Sequence, residues 1–117
     1  MKEQVIFEGH PSLKAVWNPL KKHSLYLTIT SERIILSEGI IGKKEVEILL
    51  VNVHDVSMYQ SLIDRILNVG EIRIRSTDRE NPRISFYMKK PRKWREKISK
   101  LVREEKERRG VEFQEGI

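Results

Sequence analysis

No cysteine occurs in the 117 residues. Disulfide staples and thiol catalysis are thereby excluded, and a reducing compartment is the expected home. No apolar run approaches the ~20 residues that span a bilayer, and the opening "MKEQVIFEGH" lacks the apolar core of a secretion signal. A soluble, cytoplasmic protein is expected. The three histidines, His10, His23 and His54, lie far apart without ligand spacing, so no metal site is expected. No nucleophile elbow, phosphate loop or paired-carboxylate motif is present either. The chain therefore reads as a non-enzyme that needs no cofactor.

Charge, by contrast, is plentiful. Charged residues form 34% of the chain, with 23 Lys and Arg against 17 Asp and Glu, for a net +6. The surplus is local: residues 92–109 carry nine basic and four acidic side chains, or +5 of that total. A basic segment attracts nucleic acid or an anionic membrane. The same abundance of Lys, Glu and Arg is a feature of thermostable surfaces, which need no ligand.

A chain of this length is one domain, large enough to bury about two-thirds of its unfolded surface in a single core. No internal repeat or low-complexity linker divides it. Hydrophobic residues alternate through most of it, the pattern of half-buried strands. Leu25, Leu27 and Ile29 alternate in "SLYLTIT", Ser31-Glu32 makes a short connection, and "RIILS" returns as the second arm of a hairpin. Between Lys43 and Gln60 the alternation changes phase, because Leu49, Val51 and Val53 join Val46, Ile48 and Leu50 as apolar residues. Two strands meeting at a bend, or one bulged strand, account for that. Alternation resumes at Val56 and Met58, and again in "EIRIRS" and "RISFYM", which are separated by the turn "TDRENP". With "VIFEG" or "SLKAVW" as the first, about seven strands are expected.

The period then becomes helical. Pro91 suits a first helical position, and Trp94, Ile98, Leu101 and Val102 form an apolar stripe at i, i+4, i+7 and i+8. The helix should run to about Arg108 and stop at Gly110 in a left-handed cap. Beyond about Arg103 the stripe is exhausted, so the last turns are expected to project freely or to meet another subunit. Glu96, Glu104, Glu105 and Glu107 interleave with the cations, some at i,i+4 such as Glu104 and Arg108, the pattern of a self-paired, solvated face. Nucleic-acid binding is not expected, since no aromatic stacking platform accompanies the charge.

The stretch "LYLTITSERIILSEGIIGKKEVEILLVNVHDVSMYQSLIDRILNVGEIRIRS" resembles the bacterial pleckstrin-homology (PH)-like domain family of unknown function. The features that carry the likeness are residues 28–33, Gly39, Lys43-Lys44, residues 53–56, Gln60-Ser61-Leu62, Arg65 and Gly70, with the lead-in "VIFEGHPS". The resemblance implies a mainly β (α+β) fold: a bent antiparallel barrel or sandwich of about seven strands, capped by one C-terminal helix. Residues 1–110 would form the single PH-like domain and 111–117 a frayed tail. In that fold Leu62, Ile66 and Leu67 would make a one-turn helical connection folded over an open part of the barrel. Arg65 would point outward, and Gly70 would permit a sharp re-entry into the next strand. Many members carry transmembrane helices beside the domain, and this sequence has none. The Lys and basic-x-Arg pattern of phosphoinositide-binding PH domains is also absent: Lys14 is followed by Lys21-Lys22-His23 without the arginine.

Function is therefore expected to be non-catalytic binding or scaffolding, engaging a protein partner or copies of the same chain along an exposed strand or beside the helix. The alternative is peripheral docking on anionic lipid headgroups through Lys14, Trp17, Lys21, Lys22, Lys43 and Lys44. Against it, Trp17 reads first as a core residue, with the lysines keeping its loop soluble. Leu62, Leu67, Trp94, Ile98, Leu101 and Val102 are expected to be structural.

Overall fold

Two phases of alternation build two sheets. The structure is a computed structural model, and residues 3–11, 25–38 and 44–110 are described. The first sheet orders β1 (Val5–Gly9), β2 (Leu25–Thr30), β3 (Arg33–Glu38) and β4 (Lys44–Leu49), all antiparallel neighbours. The second orders β5 (Val53–Tyr59), β6 (Val69–Ser76) and β7 (Arg83–Lys89). A short helix, α1 (Leu62–Leu67), joins β5 to β6, and a long one, α2 (Pro91–Arg108), follows β7. Among the described residues the sheets do not close into a barrel, so the sandwich alternative holds. The stretch "SLKAVW" and the tail 111–117 lie outside the described residues; "VIFEG" is β1.

Register explains the core. Ile29 pairs with Ile34, and Ile34 with Ile48, so three buried isoleucines cross the first sheet in one layer. In the second sheet Met58 pairs with Ile72 and Ile72 with Phe86, while Val56 pairs with Ile74 and Ile74 with Ile84. These inward faces meet in one cluster. Each fully buried isoleucine contributes about 1.5–3 kcal/mol over an exposed one. The change of phase near Leu50 is where the chain crosses between sheets: Leu50–Asn52 form one 3₁₀ turn. Leu49 points partly to solvent while Leu50 and Val53 are buried. The Leu50 N–H donates to the Glu32 carbonyl at 2.9 Å, and the Thr77 N–H to that of Asn52 at 2.8 Å.

Helix α2 lies across the second sheet and the 3₁₀ turn. Ile98 and Val102 are buried in the core cluster, and Trp94 and Leu101 pack against it. Trp94 also meets Phe7 of β1 edge-on, with centroids 5.3 Å apart, which ties the helix to the first sheet. Gly110 has φ +71°, the left-handed geometry expected after the helix.

The last turns of α2 do not project freely, contrary to the expectation from the stripe. Glu105 is buried and accepts from Arg108 Nε (3.0 Å) and Nη2 (2.6 Å) and from Arg109 Nε (3.1 Å). Arg109 Nη2 continues to Glu32 in the β2–β3 turn at 2.8 Å. A buried carboxylate is tolerated because each of its oxygens accepts from a guanidinium, Oε1 from Arg108 and Oε2 from Arg109, and hydrophobic periodicity carries no trace of such a network. Arg108 pairs with Glu105 at i,i+3, not with Glu104.

The same turn explains the Thr–turn–Arg pattern. Thr30 Oγ1 accepts from the N–H groups of Glu32 (3.1 Å) and Arg33 (3.0 Å) and donates to Glu3. Arg33 donates to Glu47 at 3.1 Å and to Glu3 at 2.9 Å. Its guanidinium is held above its usual pKa, first by the Glu47 hydrogen bond; burial opposes this as the next largest effect, and the charges of Glu3 and Glu47 add to the rise.

Candidate functional site

Helix α1 is amphipathic in the inverted sense. Ser61 and Asp64 form a reciprocal capping box: Ser61 Oγ accepts from the Asp64 N–H (3.2 Å), and Asp64 Oδ2 accepts from the Ser61 N–H (3.1 Å). The box satisfies donors that a helix start leaves open. It also turns Asp64 inward, to 1% exposure. At about 100° per residue, Leu62, Ile63, Ile66 and Leu67 then fall on an arc of roughly 140° away from Asp64. They are 77%, 62%, 83% and 55% exposed.

The barrel-closing role expected of Leu62, Ile66 and Leu67 is therefore corrected. The one-turn helix is present, but its acid faces the protein and its aliphatic side chains face water. The reason is the open architecture. Among the described residues Ile72, Ile74, Phe86, Met88 and Ile98 belong to the buried core cluster, and no residue of α1 does. Among the packed elements, α1 rests chiefly on β6.

Gly70 is corrected as well. The left-handed residue at the exit from α1 is Asn68, with φ 55°. Gly70 sits within β6, where a Cβ would lie 2.8 Å from Pro91 Cγ and 2.9 Å from Gln60 Cγ. Its lack of a side chain permits close approach of the β7–α2 corner, not a turn. At that corner Lys90 is also left-handed (φ 51°), and its N–H donates to the Asn68 carbonyl at 3.0 Å. Gln60 Nε2 closes the joint by donating to the Val69 carbonyl at 2.8 Å.

This joint assembles a basic rim beside the apolar arc. Arg65, Lys90, Arg92 and Lys93, with Gln60 and Asn68, line a depression of about 550 Å³ that no carboxylate enters. None of the four cations forms an ion pair among the described residues. The first turn of α2 holds no acid and no side-chain cap, so its macrodipole adds to the positive potential instead of offsetting it. Sequence reading missed this grouping because 25 residues separate Arg65 from Lys90. The legible signal was Ser61-x-x-Asp64, whose capping role fixes the inward face of α1 and, by elimination, the outward one.

Of the lysines expected to meet lipid, only Lys44 is described: it is exposed at the start of β4, opposite Glu38 in the register. Lys14, Trp17, Lys21, Lys22 and Lys43 lie outside the described residues. Among the described residues no three of His, Asp or Glu converge as metal ligands. His10 is used structurally, with Nδ1 2.6 Å from the Leu25 carbonyl oxygen and its ring edge-on to Tyr26.

A second polar face lies outside the β5–β7 sheet, where a depression of about 390 Å³ is lined by Asp55, Arg73, Arg75 and Arg83 among others. Most of its charge is internally matched. Arg75 meets Asp55 at 3.4 Å, and Arg73 meets Glu71 at 2.6 Å while covering the Tyr59 ring. The α1 tip is therefore the distinctive surface.

A family model described as Bacterial PH domain matches residues 10–103 of the chain. No curated protein matches it, and no solved structure does.

Proposed function

Because the chain belongs to the bacterial PH domain family, we propose that it is a non-catalytic docking module whose contact surface is the α1 tip. PH-like domains generally mediate protein or lipid interactions. One observation carries the choice of surface: four large aliphatic side chains, Leu62, Ile63, Ile66 and Leu67, stand exposed together on one short helix. Scattered exposed leucines are ordinary, but a contiguous apolar patch with a polar rim is characteristic of an interaction site. Neither the capping box of α1 nor the buried core cluster involves these side chains.

Two occupants follow from the sequence, a protein (including a second copy of this chain) and an anionic membrane. Both are tested by the paired substitution Ile63→Ser and Ile66→Ser. The variant should keep the wild-type melting temperature. It should lose either concentration-dependent self-association in analytical ultracentrifugation or sedimentation with lipid vesicles. A variant indistinguishable from wild type in both assays would remove the α1 tip as the docking surface.

A further inference from the structure

We infer that the occupant of the α1 tip is an anionic lipid bilayer, with the helix lying in the headgroup boundary and the basic rim meeting lipid phosphates. This inference rests on the docking reading above and names its partner. The chemistry of the tip favours lipid. The exposed arc is built from leucine and isoleucine alone, whereas the anchors of protein interfaces are enriched in Trp, Tyr and Arg. Unstructured acyl chains accept branched aliphatics without a matching pocket.

Dimensions agree with this. Interfacial helices bury their apolar face roughly 5–10 Å into the headgroup and acyl boundary, a depth within the ~10–12 Å diameter of a helix with its side chains. Among the described residues no helix is long and apolar enough to cross a membrane.

Charge complementarity selects the sign of the lipid. Arg65 belongs to α1 itself, and the Lys90–Asn68 hydrogen bond holds Lys90, Arg92 and Lys93 beside the helix exit. Apolar insertion and cationic contact are thus presented at one end of the molecule. Neither is sufficient by itself, since stable peripheral binding usually combines two such signals. Each basic residue near an anionic surface strengthens binding about fivefold.

The test uses the full chain and sedimentation with two kinds of vesicle, one of phosphatidylcholine alone and one of equal parts phosphatidylcholine and phosphatidylglycerol. Binding to the anionic vesicles at low salt, fading at high salt, is expected. Ile63→Ser with Ile66→Ser should weaken it about 30-fold or more. Replacing Arg65, Lys90, Arg92 and Lys93 by Gln should weaken it about 100-fold or more, with the melting temperature of each variant confirming its fold. Equal binding to both vesicles, or binding that survives the tip substitutions, overturns the inference. If vesicles are not bound at low salt while the tip substitutions abolish self-association, the lipid inference fails and the docking reading survives. If neither assay responds to the tip, both fail.

Discussion

The Lys90 N–H donates to the Asn68 carbonyl oxygen at 3.0 Å, and both residues adopt left-handed backbone conformations. Two chain corners are thereby locked together: the exit of α1 and the entry of α2. A lysine and an asparagine in this conformation are less costly than a β-branched residue would be, but neither is free of strain. The hydrogen bond is what places the apolar arc and the basic rim on one end of the domain.

Leu62→Ala and Ile66→Ala should change unfolding free energy by less than about 0.5 kcal/mol, as surface substitutions do. Ile98→Ala, by contrast, removes a fully buried side chain and should cost about 2–5 kcal/mol. Urea melts of the three variants test the contrast. A loss above about 2 kcal/mol at Leu62 would mean that α1 packs inward after all.

That contrast also marks the limit of what the sequence disclosed. The strands, the crossing near Leu50 and the stripe through Ile98 were legible because alternation and 3.6-residue periodicity report burial against a core. Periodicity in α1 is ambiguous, since an aliphatic arc looks the same whether it faces a core or water. Its direction depends on whether an unfilled space exists beneath it, which only the assembled sheets determine. The basic rim was illegible for another reason: it is made by a contact between distant backbone corners, not by a local run of charge.

The Glu105 network predicts an asymmetry between its partners. Glu105→Gln removes charge from a buried acceptor but leaves Arg108 and Arg109 able to turn to solvent, since both are exposed. The cost should be about 1–2 kcal/mol. Removing both arginines instead leaves a carboxylate that is 2% exposed without its ion-pair partners, and should cost about 3–5 kcal/mol. Denaturant melts that show the reverse order would mean that the last turn of α2 is not anchored to the β2–β3 turn.

At alkaline pH the β1–β2 pairing should weaken through Tyr26. Its phenol donates to Glu8 Oε1 at 3.0 Å and has a pKa above the usual 10.0, raised first by that hydrogen bond, then by burial and by the Glu8 charge. The folded state thus holds the proton more tightly than the unfolded chain. This stabilisation is fully present below about pH 10, where the unfolded phenol titrates, and is lost as pH rises through the folded value. Absorbance titration of tyrosinate, with Tyr26→Phe subtracted, should show the late-titrating phenol, and Glu8→Gln should move it down. An ordinary titration in the wild type would contradict the Tyr26–Glu8 hydrogen bond.

Gly70 links stability to docking. Its absent Cβ leaves room for Pro91 and Gln60, whose side-chain atoms would otherwise stand 2.8–2.9 Å away. Gly70→Ala must therefore push the entry of α2 away from β6, at a cost of about 1–3 kcal/mol for overpacking. The same displacement separates Lys90, Arg92 and Lys93 from α1. Ile48→Val in the remote β4 strand, with a loss of about 0.5–1.5 kcal/mol, serves as the control for destabilisation alone. Anionic-vesicle affinity measured well below both melting transitions should fall for Gly70→Ala and stay unchanged for Ile48→Val. Equal affinities in the two variants would show that the packing of this joint does not matter to the basic rim.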